Sequence, residues 1–387
     1  MSSIESLNED KPTPDLKVGA LSTFLQRLDK LEADGKPLLY FRGHSKRSFQ
    51  LKPSIFRNSG WIANESTMLK EVILRCPSEF VGGVTTFQSL VMMQHYGLPT
   101  RLLDVTSNPL VALYFACESH DEDDEDGEVL VFGYDIEAVK YFDSDTVSVI
   151  ANLSRRPADF VVPEASVGDS SDPEEAARRF NANDSIKLLL HDIGSEKPHF
   201  FPRIRCEDLQ RVVCVKPLLD NRRIVRQEGA FLLFGCEKVK SEPAKLEDST
   251  VIARLAINRD EKQNLRDQLR TLGITRATMY PEIEHVATHI KQSYSVPSIN
   301  LGKLSSSQAR VFRVMRDGLA ASIPEVAKSL DMKPAVVSRV VSELQRKGAL
   351  RLSGRGRNRR WKLVEGLEIL GSERESLSSV GVGMPNA

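Results

Sequence analysis

The C-terminal part of the chain, from about residue 304, carries the pattern that most restricts the fold. Three helices are predicted in succession, and residues spaced three and four apart give the third helix, over residues 334–347, one buried face. These residues are Val337, Val340, Val341 and Leu344. Gly348 follows, where the end of a helix favours a residue that tolerates a left-handed conformation. Two short strands, over residues 350–353 and 360–363, then flank a basic hairpin tip with the sequence GRGRNR.

This order of elements resembles the winged-helix fold of bacterial regulators over about residues 304–364. The resemblance implies DNA as a partner, with the third helix in the major groove and arginines of the hairpin near phosphates or in the minor groove. The residues expected to contact DNA are Ser338, Arg339, Ser342, Arg346, Arg355, Arg357, Arg359 and Arg360. Winged helices also serve as protein-docking or dimerisation modules, but the clustered arginines favour DNA.

Three segments of the larger N-terminal region combine polar side chains with turn residues. They are YFRGH at residues 40–44, QHYGLPTRLLDVTSNP at residues 94–109 and RIVRQEGAF at residues 223–231. A buried strand over residues 37–41 is predicted to end at Arg42 and Gly43, so that the guanidinium projects from a rigid element while the backbone turns away. A guanidinium in such a place is suited to bidentate binding of a phosphate.

Together the three segments resemble the FRG family, over most of residues 17–295. This family is bacterial and phage-associated and is suspected in antiviral defence, so the resemblance implies a class of protein more than a reaction. His44 departs from the family pattern, because Gln is expected there in many relatives.

The layout of the three segments is also similar to that of one clade of mono-ADP-ribosyltransferases. By that similarity Arg42 would grip the phosphates of NAD, Thr106 and Ser107 would support the site, and Glu228 would stabilise the ribosyl cation by charge and hydrogen bonding. NAD is then the implied substrate, for ADP-ribosyl transfer or NAD cleavage. The Ser-Thr-Ser motif of that clade is absent, and Arg226 stands two residues before Glu228 where a second Glu would be.

The candidate residues follow from these segments. The predicted catalytic residues are Arg42, Glu228, Gln227 and His95, and the predicted ligand-binding residues are His44, Gln94, Arg101, Asp104, Thr106 and Asn108. A structural interpretation stays open for several of them. Arg42 and Arg101 are candidates to pair with Asp104, and Gln94 and Asn108 to cap helices or form turns. The density of polar residues in the second segment favours function for the set.

The predicted fold class is α+β. Short strands interleaved with irregular helices indicate a mixed sheet-and-helix domain. The resemblances imply that this is an FRG domain with an ADP-ribosyltransferase-like form, followed by a small winged-helix domain. The expected boundaries are 16–300 for the first domain and 301–366 for the second, with disordered tails at residues 1–15 and 367–387. A polar stretch at residues 151–185 is expected to be an exposed insertion.

Composition and spacing exclude several classes. Lys+Arg and Asp+Glu both count 53, so net charge indicates no partner. The five cysteines are scattered without a CxxC, which argues against a disulfide framework or a metal cluster and favours a cytoplasmic protein. We expect no bound metal and no membrane partner, since no apolar run approaches the length of a membrane span. The sequence shows no dedicated dimerisation helix and does not fix the oligomeric state.

Two hypotheses of function result. In the first, an effector or regulator binds a nucleotide-like ligand such as NAD, acts on it or on a protein target, and binds DNA through its winged helix. In the second, a non-enzymatic transcriptional regulator uses the FRG domain as a ligand sensor or docking module. The position of Glu228 relative to Arg42 separates them, because catalysis requires both to face one cleft. A third interpretation, a nuclease, has only the acidic run at residues 121–126 to hold metal.

Overall fold

The computed structural model describes residues 17–32, 38–80, 83–118, 125–164, 173–281, 298–318, 322–353, 360–364 and 367–370. The chain divides into two compact units, Met1–Val286 and Ala287–Ala387. The first unit combines helices with a mixed sheet, which confirms the predicted α+β class. No helix in the described ranges is long and apolar enough to cross a membrane.

The first unit contains helices and strands throughout its described length. Its helices are α1 (Leu21–Glu32), α2 (Ser59–Ala63), α3 (Glu65–Arg75), α4 (Thr86–His95), α5 (Pro109–Cys117), α6 (Asp145–Ala151), α7 (Pro173–Asn181), α8 (Asp184–Glu196), α9 (Cys206–Leu209), α10 (Arg222–Arg226), α11 (Lys262–Thr271) and α12 (Arg276–Met279). Its strands are β1 (Leu38–His44), β2 (Leu102–Thr106), β3 (Gly127–Tyr134), β4 (Lys140–Tyr141), β5 (Val212–Lys216), β6 (Gly229–Phe234) and β7 (Val251–Ile257).

These strands form one sheet in the order β4-β5-β6-β2-β1-β3-β7. Neighbours run antiparallel, except that β4 and β5 are parallel. Strand β1 pairs with β3 along its whole length, from Leu38 to His44, but it pairs with β2 only at Phe41 opposite Thr106. The sheet therefore has two well-paired halves that meet at one register pair, a place we call the strand junction.

Helix α5 packs directly on the β1–β3 side of the sheet. It is buried nearly all round, as its uniformly apolar sequence predicts. A Cβ atom on Gly43 would lie 1.9 Å from the carbonyl oxygen of Ala112, and one on Gly127 would lie 2.2 Å from that of Ala116. Two strand glycines therefore let the helix approach the sheet closely.

The end of β1 differs from the prediction. The strand continues through Arg42 and Gly43 to His44, which pairs with Glu128 of β3. Gly43 accommodates the backbone of α5 and does not make a turn, so Arg42 projects from within a strand. The long-range contact with α5 explains this glycine, and the local sequence does not reveal it.

One other expectation for this unit was wrong in part. The stretch at residues 151–185, expected to be an exposed insertion, includes Asn152, Leu153 and Ser154, which are fully buried, and Phe180, which is 5% exposed. Its apolar residues join the core between α4, α6 and α8. The sequence also predicts a helix at residues 283–291; this segment and the tail at residues 1–15 lie outside the described residues.

The second unit contains a three-helix group with short strands. Its elements are β8 (Ser298–Asn300), α13 (Ser306–Arg316), α14 (Ile323–Leu330), α15 (Pro334–Arg346), β9 (Leu350–Ser353), β10 (Arg360–Leu363) and β11 (Glu368–Leu370). The predicted inner face of the third helix is buried: Val337, Val340, Val341 and Leu344 are at most 3% exposed. Gly348 has φ +74°, as expected for its place after α15.

The strands of this unit form two small sheets. Strands β9 and β10 pair antiparallel, from Ser353 with Arg360 to Leu350 with Leu363. Strand β11 pairs parallel with β8. Disorder was expected from residue 367, and this was wrong for residues 368–370, because their pairing partner lies far away along the chain.

Candidate ligand-binding site

A cavity of about 220 Å³ opens at the strand junction. Strands β1 and β2, helices α5 and α10 and the segment after α12 contribute its walls. The lining residues are Phe41, Arg42, Gly43, Asp104, Val105, Thr106, Phe115, Arg223, Gln227 and Tyr280. Four predicted site residues, Arg42, Asp104, Thr106 and Gln227, thus come together in one cavity. We call this cavity the first compartment.

Arg42 is held in place by two hydrogen bonds. Its Nε donates to Nε2 of His44 at 2.9 Å, and its Nη1 donates to the carbonyl oxygen of Asp104 across the strand junction. Burial lowers the pKa of Arg42 to about 10, so it stays a cation at neutral pH. Within the described residues Arg42 forms no ion pair with a carboxylate. Its charge is therefore fixed in direction, and the nearby carboxylate of Asp104 acts on it electrostatically without forming an ion pair.

His44 serves as the acceptor that orients Arg42. Its side chain is buried, with 3% of its surface exposed. Burial, together with the charges of Arg42, Arg57 and Arg254, lowers the pKa of His44 to about 3. The ring is neutral at physiological pH, and because Nε2 accepts a hydrogen bond, its proton is assigned to Nδ1. Nδ1 has no hydrogen-bond partner in the described part of the chain.

A second guanidinium, that of Arg223, lines the same cavity. It stacks on the ring of Tyr280, 4.8 Å from the ring centre, and Nη1 donates to the carbonyl oxygen of His95 at 3.4 Å. Among the described residues it also lacks an ion pair with a carboxylate. Sequence reasoning missed Arg223 as a site residue. The available signal was its position four residues before Gln227, which is a spacing that places two side chains on one helical face.

Asp104 presents an oriented carboxylate to this cavity. The side chain is exposed, and its Oδ2 accepts a hydrogen bond from Nε2 of Gln94 at 2.9 Å. Gln94 is itself fixed, because its Oε1 accepts from Oγ1 of Thr100 at 2.7 Å. Gln94 therefore holds the carboxylate of Asp104 in a fixed orientation.

Arg101 does not reach the cavity. It is fully buried, and its Nε and Nη2 donate to the two carboxylate oxygens of Glu65 at 2.9 and 2.6 Å. Nη1 donates to the carbonyl oxygen of Phe234, and Nζ of Lys240 lies 3.1 Å from Glu65. The pairing considered between Arg101 and Asp104 is not present. We call Glu65, Arg101 and Lys240 the buried ion triad.

Glu228 lies beside the cavity and does not line it. It immediately precedes β6 with φ +46°, an uncommon conformation for a residue other than Gly. Its exposed carboxylate accepts hydrogen bonds from Nδ2 of Asn108 at 2.8 Å and from Oγ of Ser107 at 3.4 Å. Asn108 also caps α5 by accepting from the amide of Leu110. Glu228 and Arg42 therefore do not meet in one compartment, and Glu228 is not buried in a salt bridge either.

A smaller second compartment, of about 160 Å³, adjoins the first. The two compartments share Asp104, Val105, Arg223 and Gln227. The predicted residues Gln94 and His95 line the second compartment and not the first. Its other lining residues are apolar or glycine: Val91, Ile224, Gly229, Ala230 and Phe231. Thr106 and Gln227 also bond to each other, since Oγ1 of Thr106 donates to the carbonyl oxygen of Gln227 at 2.6 Å.

The second unit presents the candidate DNA-contacting residues on its surface. Arg339, Ser342 and Arg346 of α15 are exposed, and Ser338 is partly exposed. Arg360 of β10 is exposed, and its Nη1 lies 3.6 Å from Glu325. Arg355, Arg357 and Arg359 lie outside the described residues. Further exposed cations that sequence reasoning did not select are Lys333, Lys347, Arg351 and Lys362.

The fold and cavity define an α+β protein with a cationic cavity at a sheet junction. Residues 38–125 match the family model described as FRG domain, so the chain contains an FRG domain. The match includes Arg42, His44, Gln94 and Asp104, and it ends before Arg223 and Gln227. Neither a curated protein nor a solved structure matches this chain. In the described residues no cluster of His, Cys, Asp or Glu side chains is arranged to hold a metal ion.

Proposed function

We propose that this protein is a DNA-binding regulator whose first unit senses a nucleotide-like ligand. The observation that carries the proposal is that Arg42 and Arg223 line one cavity and that neither forms an ion pair within the described residues. A desolvated cation is costly unless an anion offsets its charge. Guanidinium groups bind phosphate oxygens bidentately, and the rings of Phe115 and Tyr280 add an apolar wall.

The position of Glu228 favours a sensor over an enzyme. A carboxylate that stabilises a ribosyl cation has to reach the ligand, whereas this carboxylate is engaged by Ser107 and Asn108 outside the first compartment. The resemblance to the FRG family gives the expected setting, which is antiviral defence in bacteria. In that setting, binding of the ligand would change the DNA affinity of the second unit.

The first prediction concerns Arg42. In the full-length protein, Arg42→Ala should weaken binding of NAD or of a nucleoside monophosphate by roughly 10- to 100-fold, because charge-assisted hydrogen bonds to phosphate are lost. Titration calorimetry measures this directly. Arg75→Ala is the matched control, since Arg75 is exposed on α3 and lines neither compartment, and its ion-pair partner among the described residues is Glu71 of the same helix. Absence of nucleotide binding, or equal affinity of Arg42→Ala and the unaltered protein, would contradict the sensor proposal.

A second candidate function is ADP-ribosyl transfer or NAD cleavage. The observation that favours it is the left-handed φ of Glu228, since strained conformations concentrate at functional sites. NAD labelled on its adenylate part separates the two functions in the binding experiment above. Release of nicotinamide that is lost in Glu228→Ala supports the enzyme. Binding without release leaves the sensor.

DNA binding by the second unit is proposed from helix order and charge. Helix α15 follows two helices, buries its valine face and exposes Arg339, Ser342 and Arg346. The adjoining strands β9 and β10 expose further cations, Arg351, Arg360 and Lys362. This arrangement agrees with a DNA complex in which α15 enters the major groove and the basic hairpin contacts phosphates.

The second prediction tests that interface in the full-length protein. The double variant Arg339→Ala/Arg346→Ala should weaken DNA binding and lower the slope of log affinity against log salt by about one for each phosphate that the variant no longer neutralises. Fluorescence anisotropy of labelled duplex DNA over a salt series gives both quantities. Arg270→Ala is the control, because Arg270 is an exposed arginine of the first unit. An unchanged slope in the double variant would exclude α15 as the DNA-binding surface.

A further inference from the structure

We infer that Asp104 accepts a hydrogen bond from the 2′-hydroxyl group of a ribose, so that the ligand is a ribonucleotide and not a deoxyribonucleotide or a free anion. This inference rests on the proposed function, because it specifies the ligand of the same site. Three observations carry it: the order of the two compartments, the size of the second together with its apolar wall, and the hydrogen-bonding capacity of the wall between them.

The order of the compartments gives the order of groups in the ligand. The first compartment offers the guanidinium of Arg42, which takes an anionic group. The second compartment lies beyond the shared residues Asp104, Arg223 and Gln227. A ligand that occupies both compartments therefore has its anion at one end, its middle beside Asp104 and its other end against Val91 and Phe231.

The size and lining of the second compartment indicate a ring. Its volume is about 160 Å³, and its apolar wall is formed by Val91, Ile224, Ala230 and Phe231. An apolar cavity of about 150 Å³ is large enough for one aromatic ring. Gln94 and His95 also line the compartment and add polar groups, as expected for a heterocycle that carries hydrogen-bonding atoms. Anion, middle and ring are in the order of phosphate, sugar and base.

The wall between the compartments is rich in hydrogen-bond acceptors. Gln94 occupies Oδ2 of Asp104, and in the described part of the protein Oδ1 has no hydrogen-bond partner. The side-chain nitrogen Nε2 of Gln227 donates to the carbonyl oxygen of Met279 at 2.9 Å. Oε1 of Gln227 accepts no hydrogen bond from any described residue. A carboxylate only accepts hydrogen bonds, so the group it faces must donate. The two hydroxyls of a ribose supply these donors, and a 2′-deoxyribose supplies one fewer.

The charges of the site favour one phosphate group. Arg42 and Arg223 exceed Asp104 by one positive charge, and Gln94 holds the carboxylate in place between the compartments. A ribonucleoside 5′-monophosphate places its phosphate beside Arg42 and its sugar beside Asp104. A site whose acceptor faces a hydroxyl group binds the analogue that lacks this hydroxyl more weakly, because a hydrogen bond to a charged acceptor is then lost.

The test compares ribonucleotides with deoxyribonucleotides. The full-length protein is titrated with the four ribonucleoside 5′-monophosphates and their 2′-deoxy counterparts. We expect the best ribonucleotide to bind roughly 10- to 100-fold more tightly than its deoxy form. Asp104→Ala should lower the affinity for the ribonucleotide to that for the deoxy form and leave the latter unchanged. Asp104→Asn keeps one acceptor oxygen and should retain part of the preference.

A control variant and three contrary outcomes complete the test. Asp159→Ala removes an exposed aspartate that lines neither compartment, and it should retain the full preference. Binding that depends on Arg42 but shows equal affinity for both sugars would overturn the role of Asp104 and leave the proposed function intact. An equal loss of both affinities in Asp104→Ala would do the same. Failure of every nucleotide to bind would overturn both proposals.

Discussion

Replacement of Glu65 with alanine is expected to destabilise the first unit by about 3–5 kcal/mol or more. Glu65 is 1% exposed and accepts two hydrogen bonds from the fully buried Arg101. Lys240, also 1% exposed, completes the buried ion triad. Removal of this carboxylate leaves two cations without a counter-charge in the protein interior, which is among the most costly changes a core can undergo.

Urea-induced unfolding measures the change in the free energy of unfolding. Glu71→Ala is the matched control on the same helix, since Glu71 pairs with Arg75 at 2.7 Å on the surface. Such exposed pairs contribute about 1 kcal/mol or less. If Glu65→Ala and Glu71→Ala lower the unfolding free energy equally, the buried ion triad does not stabilise the fold in the way proposed.

The same triad makes stability depend on pH in the acid range. Burial alone would raise the pKa of Glu65, but the positive charges of Arg101 and Lys240 outweigh it and lower the pKa. A carboxyl group whose pKa is lower in the folded state contributes stability above its unfolded pKa of about 4.3. That contribution is lost as the pH falls towards the lowered folded pKa. Acid should therefore destabilise the unaltered protein more steeply than Glu65→Gln.

Gly43→Ala is expected to destabilise the first unit by about 3 kcal/mol or more, at the upper end of the cost of overpacking. The added Cβ would lie 1.9 Å from the carbonyl oxygen of Ala112 and 2.6 Å from the amide nitrogen of Ala116. Both contacts are with the backbone of α5, so a change of side-chain rotamer does not relieve them. The helix has to move away from β1, which carries Arg42 next to the substituted position.

Thermal unfolding of Gly43→Ala beside Gly194→Ala tests this expectation. Gly194 lies within α8, and a Cβ there has no atom within 4 Å. The same substitution should stabilise the protein at Gly194 by about 0.5–1 kcal/mol, because alanine loses less conformational entropy in a helix. Equal melting temperatures for the two variants would show that α5 does not need the close approach.

Local periodicity and chemistry were enough to predict several elements. The valine face of α15 and the left-handed Gly348 follow from spacings within one or two helical turns. The apolar sequence of α5 predicts burial on most sides, as found. These features depend on neighbours in sequence, which a single chain displays directly.

Contacts between residues far apart in the sequence could not be predicted from local patterns. Strand β2 was not predicted, because LLDVT lies inside a polar motif bounded by turn residues and its alternation is short. Arg101 was grouped with Asp104, three residues away, whereas its carboxylate partner is Glu65 on α3. The partner of a buried charge is set by packing, and no local pattern identifies it.

The candidate site was predicted in part. Arg42, Asp104, Thr106 and Gln227 come from all three polar segments and line one cavity, while Gln94 and His95 line its neighbour. Arg223 was overlooked because α10 is one short turn, so that its spacing from Gln227 is too short a pattern to stand out in the sequence. The apolar run that follows Glu228 in the sequence predicts a strand, and β6 begins there at Gly229.

The strand junction gives this site a mechanical role as well as a chemical one. Strands β1 and β2 share one register pair, and the hydrogen bond from Arg42 to the carbonyl oxygen of Asp104 is a second contact between the two halves of the sheet. A ligand seated there touches both halves, so its binding free energy also resists their separation. Affinity for the ligand and protection of the β1–β2 amides from hydrogen exchange should therefore rise together.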